Sequence, residues 1–187
     1  MPTRARARVC VCVCSAADCT ALLIQQNDGS GFFNRPWAEY KVGFGDPGGN
    51  YWLGNDLLSQ LTFNDRYKLR FDLQQNGTGN WYSAEYSTFR VLPEEDSYYA
   101  VHVRGFSGNA SHDAFGRYHS NERFSTFDRD NDRTSPRNCA ASRGGFWYGI
   151  YCDWCLVNAD RDTSDFYWRG LPGGGHLQLS RMWLKCK

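Results

Sequence analysis

The sequence predicts an α+β fold, a twisted and mainly antiparallel sheet with short helices set around it. Tyr67-Lys-Leu-Arg-Phe-Asp-Leu73 alternates apolar and charged residues without a break. That pattern buries one face and wets the other, as in an antiparallel strand. Tyr99-Ala-Val-His-Val-Arg104 repeats the alternation. The strand candidates follow one another with no long helical stretch between them, so crossover helices and a parallel sheet are not expected.

Taken in order, Leu22-Leu-Ile-Gln25 is a short strand closed by the turn signal Asn27-Asp-Gly-Ser30. Pro36 precedes Trp37-Ala-Glu-Tyr-Lys41, a short helix, because proline's fixed φ suits a helix start. Gly43 to Gly49 is a loop. Asp56-Leu-Leu-Ser-Gln-Leu61 is a second short helix, with Asn55 or Asp56 placed to cap it. Asn76-Gly-Thr-Gly79 turns the Tyr67 strand back into Trp81–Tyr86 and Phe89–Val91. Pro93-Glu-Glu-Asp96 breaks the pattern before the Tyr99 strand, and Gly105–Asn109 is read as the turn that ends it.

The 187 residues suit one domain with a real core. A net charge of +1 gives no footprint for nucleic acid or a membrane surface. No apolar run reaches the roughly 18 residues of a transmembrane helix. Aromatics make up 16% of the residues, which suits a loop-rich core held by large rings whose polar edges need partners.

Residues 1–20 stand apart. Alternating Arg-Ala and then Val-Cys is what a CG dinucleotide repeat passing into a TG repeat would encode. The segment is therefore read as a mis-called exon, with the domain at 21–187. It lacks the apolar core of a signal peptide. Cys10, Cys12 and Cys14 are accordingly left out of the disulfide arithmetic. Cysteine usage and the sequons Asn76-Gly-Thr78 and Asn109-Ala-Ser111 favour a secreted protein glycosylated at Asn76 and Asn109.

Chemistry-bearing residues gather in 124–152. Asp128, Asp130 and Asp132 alternate with Arg129 and Asn131, so their carboxylates could converge on one hard cation such as Ca²⁺. Cys139 and Cys152 bracket the following segment, and a bridge between them would fix the loop beside the carboxylates. An EF-hand is excluded: its glycine and glutamate positions hold Arg133 and Cys139, and no amphipathic helices flank the loop. A solvated acidic turn paired with Arg129, Arg133 and Arg137 stays open on spacing alone. His112 and His119 lack the further ligands of a metal site, and His119 is read as structural. No nucleophile elbow, metalloprotease motif or phosphate-cradling glycine loop is present, so no enzyme is expected.

Several motifs together resemble the fibrinogen C-terminal domain family. They are Asp28-Gly-Ser30, Trp37-Ala-Glu-Tyr-Lys-Val-Gly-Phe-Gly45, Tyr51-Trp-Leu-Gly-Asn55, Leu61-Thr62 and Leu69–Leu73. Gly105-Phe-Ser-Gly108, Phe124-Ser-Thr126 with its acidic loop, Asn138-Cys-Ala140 and Gly145-Phe-Trp-Tyr148 to Cys152 complete the set. The resemblance implies calcium held by the side chains of Asp130 and Asp132 and by backbone carbonyls near Thr134 and Pro136, with Asp128 outside the main ligand set. It also implies a Cys139–Cys152 disulfide and a ligand pocket at Arg143, Tyr148 and Asp153.

Arg143 stands where the family carries an aromatic residue and Asp153 where it carries a histidine, so the two would have to pair or stay hydrated. Cys155 and Cys186 are extra to the family pattern and are read as either paired with each other or both free. Most of the family's N-terminal subdomain is absent, which would leave a strand edge uncovered. The tail after 153 is altered. The function this implies is secreted, calcium-dependent, non-enzymatic binding of glycans or microbial surfaces. The alternative is a matrix or signalling module that binds an extracellular protein. Homo-oligomers would form only through missing upstream segments.

Overall fold

The computed structural model describes residues 21–163 and 166–187; residues 1–20, the segment that stands apart in the sequence, lie outside them. Strands are β1 (Ala21–Asn27), β2 (Phe44–Gly45), β3 (Tyr51–Trp52), β4 (Tyr67–Gln75), β5 (Trp81–Val91), β6 (Val101–Gly108), β7 (Phe124–Ser125), β8 (Phe146–Trp147), β9 (Cys155–Leu156), β10 (Tyr167–Trp168) and β11 (Leu177–Cys186). Helices are α1 (Trp37–Val42), α2 (Asn55–Thr62), α3 (Glu94–Ser97), α4 (Ala114–His119) and α5 (Ala140–Arg143).

One seven-stranded sheet runs β2-β3-β1-β11-β4-β5-β6, and each neighbouring pair is antiparallel. Two-stranded ladders join β7 to β8 and β9 to β10. The alternation of β4 works as expected: Tyr67, Leu69, Phe71 and Leu73 are buried. On its wet face Lys68 and Arg70 pair with Glu85 of β5, at 3.1 and 2.8 Å. Under the other face lies an aromatic core in which Phe124 meets Tyr40, Trp52 and Trp147 at ring separations of 5.1 to 5.8 Å.

The structure corrects three local expectations. The strand expected at Tyr99–Arg104 begins at Val101 and continues to Gly108. Tyr98 and Tyr99 carry positive φ and form a turn, while Gly105 and Gly108 stay in the ladder, where the absence of a Cβ lets the backbone lie against Ser87 and Ser83. Helix α2 has no side-chain cap, and its cap position is Gly54. Asn55 Oδ1 instead accepts from Trp52 Nε1 at 3.2 Å, and Asp56 accepts from the Tyr99 hydroxyl.

The tail supplies β11, an interior strand between β1 and β4. Its period is broken by a register shift between Leu177 and Leu179 and by a buried Ser180 that donates to Val157 O at 3.1 Å. That break hides the strand from a period-two reading. Neither option for the extra cysteines holds: Cys155 is a free, buried thiol, and Cys186 is disulfide-bonded elsewhere.

Candidate metal loop and recognition surface

The acidic stretch leaves β7 and folds back on itself. Asn131 donates from its backbone N–H to Ser125 Oγ at 3.0 Å and from Nδ2 to Phe124 O at 2.8 Å. Spacing left all three aspartates able to converge; the fold sets Asp128 apart and keeps Asp130 with Asp132. Asp128 Oδ1 accepts from Trp37 N at 2.9 Å and Thr126 Oγ1 at 2.7 Å, so its carboxylate serves the start of α1. Asp130 and Asp132 turn together: Asp130 Oδ1 accepts from Asp132 N at 3.1 Å. Asp132 Oδ1 accepts from Thr134 N at 2.7 Å and its Oδ2 from Cys139 N at 2.9 Å.

Two covalent or polar ties hold this loop to its neighbour. Cys139 and Cys152 form a disulfide with a Cα–Cα distance of 5.5 Å. Thr134 Oγ1 donates to Gly149 O at 2.9 Å. Arg133 is held by the buried carboxylate of Glu122, with Nε at 2.9 Å from Oε2. Sequence reasoning did not single out Glu122, because nothing in its spacing distinguishes it from a surface acid.

Among the described residues no three His, Cys, Asp or Glu side chains form a metal cluster. What the loop offers is two carboxylates plus carbonyls. The Thr134 carbonyl already accepts from Arg137 N at 2.7 Å, and a carbonyl oxygen has a second lone pair. Hard oxygen donors of this kind suit Ca²⁺ with water completing the shell. Burial pushes the Asp132 carboxyl above its ordinary value, and the charge on Asp130 adds to the rise against the N–H donors of Cys139 and Thr134. A divalent cation between the two carboxylates would relieve that repulsion. Asp132 also lines a polar cleft of about 520 Å³ walled by residues 120–123 and 131–133.

The pocket positions lie just beyond. Arg143 ends α5 with its side chain 8% exposed, and Nη2 meets Asp153 Oδ1 at 2.9 Å. The two charges thus pair with each other. Tyr148 is buried, its hydroxyl shared between the carbonyls of Arg143 and Gly144 at 2.9 and 2.8 Å. It shapes the backbone under the pocket and presents no surface. Ile150 and Tyr151, 54% and 58% exposed, project beside the disulfide.

The histidines serve different ends. His119 is buried with Nδ1 at 2.6 Å from Trp147 O, and burial lowers its pKa to about 4. His112 stacks on Trp154 at 5.8 Å. Asn76 and Asn109 both lie exposed in loops.

Comparison with known proteins agrees with this architecture. Residues 3–169 match the family model for the C-terminal globular domain of the fibrinogen beta and gamma chains. Mouse microfibril-associated glycoprotein 4 is 42% identical over 159 residues, 82% of this chain and 56% of that protein. Techylectin-5A of Tachypleus tridentatus is 41% identical over 120 residues, 64% of this chain and 39% of that one. The chain thus spans little more than half of the first relative and less than half of the second. Among solved structures, the fibrinogen-like globe domain of human ANGPTL2 superposes with a TM-score of 0.77 at 33% identity, covering 89% of this chain and 80% of that one. No helix of the described residues is long and apolar enough to cross a membrane. The matched span, the fold and the disulfide-pinned acidic loop lead to one conclusion: this chain belongs to the fibrinogen C-terminal domain family.

Proposed function

We propose that this chain is a secreted, non-enzymatic recognition domain that binds glycans in a calcium-dependent manner. One observation carries the reading: Asp132 is both a candidate calcium ligand and a wall of the polar cleft. Occupancy of the metal site would therefore set the cleft's shape. Asp130 and Asp132 would supply carboxylate oxygens, and the carbonyls of Thr134 and Pro136 would complete the protein's share. Calcium would neutralise the paired carboxylates and hold the loop in one conformation. No proton transfer or bond cleavage is asked of it.

A second reading has its own support. Exposed Asp153, tied down by the buried Arg143, follows exposed Ile150 and Tyr151 in the chain, a mixed apolar and charged surface of the kind that protein partners use. On this reading the domain serves as a matrix or signalling ligand, a role in keeping with its likeness to a microfibril-associated glycoprotein.

Calorimetric titration of the oxidised protein with Ca²⁺, beside an Asp130→Ala/Asp132→Ala variant, tests the metal loop. Saturable binding lost in the variant is expected. The loaded protein is then screened against N-acetylated and neutral sugars. A folded protein that binds no Ca²⁺ would overturn the calcium reading. Loaded protein that binds no sugar but is captured through Tyr151 by a matrix protein would favour the second reading.

A further inference from the structure

On a surface built from other segments, two arginines sandwich a pair of stacked rings. Tyr118, near the end of α4, and Trp154, just before β9, lie with ring centroids 3.5 Å apart and planes at 14°. Arg169, just after β10, places its guanidinium carbon 4.1 Å from the Trp154 ring. Tyr118 already covers one face of Trp154, so Arg169 occupies the other. Arg117 lies against Tyr118 at 5.6 Å. Both arginines are exposed, and among the described residues neither makes an ion pair.

The assembly is held from below. Arg169 N donates to Trp154 O at 3.0 Å, and β9 pairs with β10 so that Cys155 faces Trp168. Trp168 Nε1 donates to His112 O at 3.4 Å, and His112 stacks on Trp154. Asp113 caps α4, accepting from Gly116 N at 2.8 Å. The nearby carboxylates are already committed. Asp113 also accepts from the Tyr86 hydroxyl at 2.7 Å, and Asp153 is paired with Arg143. Two positive charges are therefore left uncompensated on a rigid platform.

A guanidinium stacked on a ring keeps its N–H edge free for a planar or tetrahedral oxyanion. Because the two guanidinia flank a two-ring stack, one small anion cannot reach both, and a ligand must carry anions at intervals. Nucleic acid has such charges, but it gains its affinity on exposed platforms by stacking bases on open ring faces. Here Trp154 is covered on both faces. We infer that the Arg117–Tyr118–Trp154–Arg169 stack is a binding site for a sulfated polysaccharide, separate from the acidic loop and independent of calcium. The inference goes beyond the proposed calcium-dependent glycan binding and shares with it only the extracellular setting.

The probe is a size-defined heparin octasaccharide, with its desulfated counterpart and an oligothymidylate of matched charge. Binding to the 187-residue chain is measured in EDTA at two salt concentrations. The Arg117→Gln/Arg169→Gln variant should bind the sulfated probe at least tenfold more weakly, with a shallower salt dependence. Arg181→Gln removes a cation stacked on Trp81, at 5.5 Å, and should keep binding within twofold. Circular dichroism checks that each variant is folded. Equal loss in both variants, no binding by the wild type, or tighter binding of the oligothymidylate would overturn the assignment. Because the assay runs without calcium, its failure leaves the calcium reading standing, and failure of the calcium titration leaves this one standing.

Discussion

Removing the Cys139–Cys152 bridge tests how the acidic loop is held. The bonded cysteines are 13 residues apart, and the chain-entropy relation for a loop of that length gives about 3 kcal/mol at 25 °C. In a protein of 187 residues, each kcal/mol moves the melting temperature by about 2–4 °C. The Cys139→Ala/Cys152→Ala variant should therefore melt about 6–12 °C lower by scanning calorimetry. A local effect comes with it. The Cys139 N–H fixes Asp132 Oδ2, and Thr134 Oγ1 reaches across to Gly149 O. Loss of the covalent tie should loosen both contacts and weaken Ca²⁺ binding at temperatures where the variant is still folded. A melting temperature lowered by less than about 2 °C would refute the entropic reasoning. Unchanged Ca²⁺ affinity in the folded variant would refute the mechanical link between bridge and loop.

Other outcomes follow from buried polar groups and from titration. The Tyr40 hydroxyl donates to Phe33 O at 2.8 Å and accepts from Gly145 N at 2.9 Å. Tyr40→Phe leaves the Gly145 N–H buried without its acceptor, while Phe33 O keeps its bond from Arg35 N at 2.9 Å, and urea unfolding should show a loss of about 1–3 kcal/mol. Acid unfolding should come in two limbs. Burial holds His119 to about 4, below its ordinary 6.5, so the unfolded state takes up a proton that the fold refuses. Stability therefore falls as the pH drops from about 6.5 to about 4, and His119→Gln should flatten that limb. Lys41, joined by Trp37 and Arg129, holds Glu94 to about 2 against its ordinary 4.5. Its contribution is complete above about pH 4.5 and is lost toward pH 2, and Glu94→Gln should remove this second limb. Because the Asp132 carboxyl is raised, protons should compete with Ca²⁺ before ordinary carboxylates titrate. Titrations at stepwise lower pH should show affinity falling early, and an affinity flat down to pH 4 would contradict this.

Much of the architecture was legible because it rests on short-range physics. The β4 alternation, the glycine turn after it and the proline before α1 each act through neighbouring residues, and each stands where local pattern places it. The ordered motifs of the family were legible for the same reason. They are fixed strings of residues, and the Cys139–Cys152 pair came with them.

Long-range contacts hid the rest. By spacing alone Asp128, Asp130 and Asp132 look equivalent, and in the sequence it is the family motif that sets Asp128 apart. Only the packing of α1 against the loop sends Asp128 to Trp37 N and leaves the other two together. β11 occupies the middle of the sheet although its period is broken, because β1 and β4 on either side satisfy its backbone. Arg117 and Arg169 are ordinary surface cations in the sequence, separated from Trp154 in opposite directions. They become one platform only when β9 pairs with β10 beside α4. Sequence alone determined the residue types, the turn after β4 and the family. Tertiary structure decided which like charges meet and which are kept apart, because that depends on backbone donors and ring faces supplied by distant segments.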